Sequence, residues 1–361
     1  MSIHFIVTAV EAFFCLFCYF FFRQNFEFAK TKKFLVFIIL ITLNSIIIRS
    51  IPSLLPSFWI RTGAWISGLW LAWGFYLIIS AIIMLILRGI NRFTILKLPV
   101  NKIASLLLIA STIFTLWGFY RAMHPVVRTE KIITTKLPAG EKHRIVLASD
   151  IHLGQMLGRS YSENLVKKIN ELDPELVLIA GDLLDQRIVY VNAEDSLTPV
   201  QNIKTKLGTY LAFGNHDYLD RPFLWQEMCE KNNIHVLRDA EIKLGNLKIT
   251  GLNDYSRHKS FDNLVKLSAE NKIYYSILLD HQPRRMEAAS EAGYDLYLAG
   301  HTHTGQLWPS RIITKRMYKL DYGRKDFGKL TAITSNGYGF WGRPVRTEVA
   351  PELVVIELEG K

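Results

Sequence analysis

The sequence predicts an α/β domain preceded by an all-α bundle of four membrane-spanning helices. Two observations carry this reading. Up to His124 the chain is dominated by long apolar runs, and from Pro125 onward it has the composition of an ordinary soluble domain. In that second half, five short runs rich in Val, Ile, Leu and Tyr are each followed by Asp, Asn or His. Buried strands whose carboxyl ends carry ligands give this pattern.

The four apolar stretches run roughly from Ile3 to Phe22, Phe34 to Ile51, Trp65 to Leu87 and Ile103 to Tyr120. Each approaches the roughly 20 residues that a bilayer requires, and each is apolar on every face, which a soluble amphipathic helix is not. The first lacks a basic leading region and three more follow, so it does not read as a cleaved signal peptide. The net charge of +11 divides unevenly. Residues 1–124 hold 11 Lys and Arg against 2 acids, and residues 125–361 hold 32 against 30. The basic excess therefore belongs to loops flanking membrane helices, and no nucleic-acid binding is expected. Arg23, Lys30, Lys32 and Lys33 in the first loop, and Arg88, Arg92, Lys97 and Lys102 in the third, place those loops in the cytoplasm. Both termini then lie outside, although Arg121, Arg128, Lys131 and Lys136 after the fourth helix argue the other way. Glu11 is the one acid within a span, with Asn44 as an obvious polar partner. Trp59, Trp65, Trp70, Trp73 and Trp117 divide between interfacial anchors and bundle packing. Cys15, Cys18 and Cys229 form no disulfide framework or zinc-finger spacing.

Residues 125–144 read as a linker, or as an edge strand around Lys131 to Lys136. From Arg144 the strand-and-ligand pattern begins. RIVLAS leads into Asp150 and His152, LVLIAG into Asp182, TYLAFG into Asn215 and His216, YSILLD into His281, and YDLYLAG into His301 and His303. The stretch SENLVKKINELDPE between the first two reads as a helix. Asp150-x-His152 and His301-x-His303 are i,i+2 pairs. In extended chain, alternate side chains point to one side, so each pair is expected to converge on one point. Gly181, Gly214, Gly300 and Gly305 are expected to let the backbone turn beside them. Carboxylate, amide oxygen and imidazole without thiolate suit Mn, Fe or Zn better than copper or an iron–sulfur cluster. Any one of these short patterns is weak; GNHD, for example, is also a turn sequence. Five in one order, each after a buried strand, are not a chance arrangement.

DIH, GDLLD, GNHD, His281 and GHTH resemble the signature blocks of the calcineurin-like metallophosphoesterase superfamily. The resemblance covers roughly 145–361 and is strongest to bacterial membrane-anchored members, whose late segment TSNGYGFWGRPVR is similar to. It implies a β-sandwich flanked by helices and two divalent or trivalent metal ions (Mn, Fe or Zn). Asp150, His152, Asp182 and His303 would hold the first ion. Asp182 would bridge to the second, completed by Asn215, His281 and His301. His216 matches the catalytic histidine and Asp185 the acid that orients it. Members often carry Arg directly after that acid, where Gln186 stands here and Arg187 follows. Thr304 stands where the subgroup often has Gly or Arg, and no effect on metal binding is expected. The implied reaction is hydrolysis of a phosphodiester, phosphomonoester or pyrophosphate by a hydroxide shared between the metals.

A basic run with Arg311, Lys315, Arg316, Lys319, Arg324 and Lys325 is interleaved with Met317, Tyr318 and Tyr322, and Phe340 and Trp341 follow. It reads either as a solvated loop or as a rim facing an anionic lipid surface. The expected partners are the bilayer and a phosphorylated substrate, either lipid-linked or a soluble phosphodiester or nucleotide, with no obligate protein partner. The expected location is the cell membrane, multi-pass, with the catalytic domain extracytoplasmic. A competing reading is a catalytically inactive membrane scaffold or metal-sensing relative, which the filled ligand positions and the presence of His216 disfavour. A transporter finds no support, since one lone intramembrane acid and no repeat are visible. No GxxxxGK[ST] pattern for nucleoside triphosphates occurs.

Overall fold

The computed structural model describes residues 3–50, 57–95, 98–257 and 273–361. Ile51, where the second expected span ends, and Lys97 of the third loop lie outside them. Two compact units result: Met1–Tyr120 with Gly342–Thr347, and Arg121–Trp341 with Glu348–Lys361.

The first unit is built on helices α1 (Ile3–Asn25), α2 (Lys32–Ser50), α3 (Ser57–Phe93) and α4 (Val100–Ala122). Among the described residues, α3 and α4 are long and apolar enough to cross a membrane, where the sequence leads one to expect four spans. At 37 residues, α3 is about 55 Å long, longer than the ~30 Å hydrocarbon core of a bilayer. Arg88 near one end donates to Gln24 and Asn25 at the end of α1. Trp70 and Trp73 pack inside, donating to Cys15 Sγ and Thr112 Oγ1. Asn44 donates to Gly63 O and Ser67 Oγ of α3, and Glu11 is buried. The stretch Gly342–Thr347 belongs to this unit. The Arg346 N–H donates to Gly118 O at 2.9 Å, and Thr347 shares a 2.5 Å hydrogen bond with the Tyr76 hydroxyl. Gly118 makes the approach possible, since a Cβ there would stand 2.5 Å from Thr347 Cγ2.

The second unit holds two six-stranded mixed sheets, ordered β1-β12-β2-β3-β4-β5 and β10-β11-β9-β8-β7-β6, with β6 spanning Ala240–Leu244 and β10 Gly323–Phe327. In the first, β2 (Lys142–Ala148), β3 (Leu176–Ala180), β4 (Thr209–Ala212) and β5 (Ile234–Leu237) run parallel. In the second, β7 (Leu247–Gly251), β8 (Tyr275–Leu279) and β9 (Leu296–Ala299) are parallel, with β11 (Leu330–Thr334) continuing in the same sense. One core takes Ile145, Leu147, Leu176 and Leu178 from the first sheet and Leu247, Ile249, Ile277 and Leu298 from the second. The sheets therefore face each other as a sandwich. The outer faces are covered too. Helix α5 (Arg159–Glu171) buries Leu165, Val166 and Ile169. A further cluster joins Leu278 and Tyr297 to Met286 and Ala289 of helix Met286–Glu291. Strands buried on both faces read as continuous apolar runs, which is why no alternation marked them. The edge strand β1 spans Val126–Thr134 and pairs in parallel with β12 (Glu352–Gly360).

Candidate metal centre

The carboxyl ends of β2, β3 and β4 in one sheet and of β8 and β9 in the other deliver the ligand-bearing loops to one edge of the sandwich. Three overlapping donor groups form there: Asp150, His152 and His303; His152, Asp182 and His216; and Asp182, His281 and His301. Within each, the donor atoms lie within 4.8 Å of one another. Asn215 joins the last through Oδ1, 3.2 Å from His281 Nε2. The structure thus brings together Asp150, His152, Asp182, Asn215, His216, His281, His301 and His303, with Asp185 beside them.

Asp150 and His152 converge in one donor group by a different route from the expected extended chain, whereas His301 and His303 do not converge but divide between two groups. Asp150, His152, Asp182, His301 and His303 all have positive φ, between 45° and 73°. Left-handed backbone at non-glycine residues is uncommon and costs on the order of 1–3 kcal/mol each. Main-chain bonds hold it in place: Asp150 N to Gly181 O and His152 N to Asp182 O, both 3.0 Å, and His301 N to the Asp150 carboxylate at 2.9 Å. Gly214 and Gly300 serve close approach. A Cβ on them would stand 2.2 Å from Asp182 Oδ1 and 2.3 Å from Asp150 Oδ2.

The donors fit metal ions. His152 Nε2 and His303 Nε2 are 3.1 Å apart, as are His301 Nδ1 and His281 Nε2. His281 Nε2 stands 3.2 Å from Asp182 Oδ2, and His303 Nε2 3.4 Å from Asp150 Oδ1. Donors about 2.1 Å from a shared ion, at angles near 90–110°, are about 3.0–3.4 Å apart. His281 Nδ1 is bonded to Ala180 O at 2.8 Å, which turns the Nε2 lone pair inward. Burial and the neighbouring His281 charge push His301 down to about 4, so its ring is neutral and free to ligate. Burial opposes the charged forms of Asp182 and His281. Their mutual attraction wins, lowering Asp182 far below the carboxylate range and raising His281 well above the usual imidazole value. Such a pairing of buried carboxylate with positive charge suits a centre designed around a cation.

His216 Nδ1 is bonded to the main-chain oxygen of Asp185. The Asp185 carboxylate lies 3.7 Å from the same nitrogen and 3.6 Å from His152 Nδ1. The main-chain oxygen, more than the carboxylate, therefore sets the ring. Burial raises Asp185 to about 6. Burial raises the Tyr190 hydroxyl, and Arg187 lies close enough to it to work against that rise. Thr304 is buried and bonds Asn336 Oδ1. Tyr318 stands edge-on to His301 at 5.9 Å and Trp341 edge-on to His216 at the same distance.

Asp217 is the functional residue that sequence reasoning passed over. Its carboxylate accepts from the N–H of Asp182 (2.8 Å), Leu184 (2.9 Å) and Gly214 (2.8 Å) and from Trp225 Nε1 (3.0 Å). It ties two ligand loops together. Its one signal was the acid directly after His216 in a polar turn.

The family profile described as calcineurin-like phosphoesterase matches residues 143–305. An uncharacterized metallophosphoesterase of Campylobacter jejuni is 30% identical over 300 residues, 81% of this chain and 77% of that protein. One from Helicobacter pylori is 31% identical over 255 residues, 68% of this chain and 67% of that protein. A Danio rerio protein named as a transmembrane protein with metallophosphoesterase domain is 32% identical over 275 residues, 70% of this chain and 62% of that protein. The likeness thus extends to animal as well as bacterial proteins. With the clustered Asp and His donors, these matches establish that the chain belongs to the calcineurin-like phosphoesterase family and carries a metal-dependent phosphoesterase domain.

Proposed function

We propose that the chain is a dinuclear phosphoesterase, anchored in the cell membrane by four helices, with its catalytic domain outside the cytoplasm and a lipid-linked phosphate ester or pyrophosphate as substrate. The single observation that carries the reading is that two donor clusters meet at Asp182 with His216 alongside. Asp150, His152, Asp182 and His303 would hold one ion, and Asp182, Asn215, His281 and His301 the other. Bound there, the metals supply a hydroxide nucleophile at neutral pH and neutralise phosphoryl charge. The chain's own part is positioning and proton supply. With Nδ1–H donating to Asp185 O, His216 presents Nε2. Burial opposes protonation of this ring, but Asp182 and Asp185 outweigh it and raise His216 above its usual value. A protonated His216 would donate its Nε2 proton to the leaving oxygen, a role worth roughly 10²–10⁴-fold.

The lipid-linked reading is supported by exposed apolar side chains around the centre: Trp308, Ile312, Ile313, Met317 and Trp341. Three of them lie on helix Arg311–Met317, directly before the His301 neighbour Tyr318. Lys315 and Arg316 on the same helix suit anionic headgroups. The anchor is supported by the apolar length of α3 and α4.

The test is hydrolysis of bis-(p-nitrophenyl) phosphate by purified protein with Mn²⁺, beside Asp182→Ala. Activity in the parent and none in the variant is the expected result. Absence of both activity and bound metal in the parent would leave an inactive scaffold in its place.

A further inference from the structure

Beside the metal centre lies a cavity of about 450 Å³ lined by Tyr218, Pro222, Arg238, Asn253 and Arg257. Two chain paths lead from it to the centre. Tyr218 ends the short 3₁₀ turn that begins with His216, so their Cα atoms are at most about 7.6 Å apart. On the other wall, Asn253 precedes Asp254, whose carboxylate accepts from Gln282 Nε2 at 3.0 Å, directly after His281.

The cavity carries two guanidinium groups held by neutral partners. Arg238 donates to Gln226 Oε1 at 3.1 Å and to Asn253 Oδ1 at 3.4 Å, and stacks on Phe213, Tyr218 and Phe223 at 5.2–5.5 Å. Arg257 donates to Tyr218 O at 3.4 Å and lies 5.2 Å from the same Tyr218 ring. Among the described residues neither pairs with a carboxylate. The acids flanking the cavity in sequence are committed elsewhere, Asp239 to Asn253 and Asp254 to Gln282 and Ser256. Stacking on rings restricts the guanidiniums while leaving their N–H edges to a ligand. Arginines so prepared recognise phosphate bidentately. A volume of this size accommodates a small-molecule fragment of that kind.

We propose that this cavity is a substrate subsite for a second phosphate, beyond the one being hydrolysed, with Arg238 and Arg257 as its ligands and Tyr218 as its floor. The proposal rests on the hydrolytic reading above and narrows its substrate class to molecules with two phosphate groups. It explains how a chain with Gln186 directly after Asp185 still offers arginine to its substrate.

Matched probes test it: thymidine 5′-(p-nitrophenyl phosphate) and the same ester with a second phosphate on the 3′ oxygen. The full chain is expected to favour the second roughly tenfold or more in kcat/KM. Arg257→Gln, at an exposed side chain, is expected to bring that ratio toward one, with Arg257→Lys intermediate. Arg238→Gln, checked for its melting temperature, should do the same. A purely structural role would not move the ratio. Equal kcat/KM in the parent, or a ratio unchanged in both Gln variants, overturns the subsite. If the parent cleaves neither probe, the hydrolytic reading is decided by the bis-(p-nitrophenyl) phosphate and bound-metal measurements above. The subsite is then judged by calorimetric titration of EDTA-treated full chain with thymidine 3′,5′-bisphosphate. Binding lost in Arg257→Gln supports the subsite, and no binding by the parent overturns it. Inorganic phosphate binding as tightly as the bisphosphate would make the cavity a free-anion site and also overturn the proposal.

Discussion

Asp182 contributes carboxylate oxygen to two of the three donor groups, and the main-chain N–H of His216 donates to its Oδ1 at 2.8 Å. Asp182→Ala is therefore expected to lower hydrolysis by more than about 10³-fold, comparable to removing a reacting group, with bound metal falling in elemental analysis. His216→Gln separates chemistry from binding. Metal content should be retained while kcat drops about 10²–10⁴-fold, and full activity in the variant would remove His216 from the reaction. Gly214→Ala makes a steric prediction at the same scale. Its Cβ would stand 2.2 Å from Asp182 Oδ1, so the variant should bind metal more weakly, seen as a higher Mn²⁺ requirement in the assay. The donor residues were legible one by one in the sequence because their residue types are restricted by metal chemistry. Their backbone was not. Positive φ at Asp150, His152, Asp182, His301 and His303 departs from extended chain because each loop must turn sharply at the sandwich edge and still satisfy its N–H groups.

At the scale of elements, the short turn His216–Tyr218 and helix Pro222–Lys231 form one device. Trp225 on the helix and Asp217 on the turn meet in a 3.0 Å hydrogen bond, and Asp217 in turn caps the loops after β3 and β4. Asp217→Ala would orphan three buried N–H groups and the indole. A loss of about 3–5 kcal/mol is expected, measurable by urea unfolding, together with weaker metal binding. A change under about 1 kcal/mol would mean that the loops hold themselves. The basic run after Trp308 resolves into an element too. Arg311 pairs with Asp321 and Lys319 with Glu287, which leaves Ile312, Ile313 and Met317 outward. Replacing these three by Ser should lower the ratio of activity on lipid phosphates in mixed micelles to activity on bis-(p-nitrophenyl) phosphate. An unchanged ratio would dissociate this helix from lipid.

At the scale of the molecule, metal and fold are linked. Saturation at about 100 times Kd stabilises the native state by about 2.7 kcal/mol. Chelation with EDTA should then lower the melting temperature of the phosphoesterase domain by about 5–10 °C, restored by Mn²⁺; no shift would mean that the donors bind no metal. A C-terminal alkaline phosphatase fusion is expected to be active and a C-terminal fluorescent-protein fusion dark, as an extracytoplasmic terminus requires. The opposite pattern would put the domain inside. Local sequence determined much on its own. Apolar length marks the helices of the first 124 residues, and strand-then-ligand order names the donors, because both depend on neighbours within a few residues. Tertiary structure alone decided the rest. β12 sits between β1 and β2, closing the first sheet with the chain's last strand. Gly342–Thr347 joins the helical unit although it lies between residues of the other. Asp217 caps the loop after β3, 33 and 35 residues away, and Arg238 and Arg257 meet over one tyrosine ring. Apart from the acid after His216, none of these has a local signal, since each is a contact between distant segments whose energy exists only once those segments have packed together.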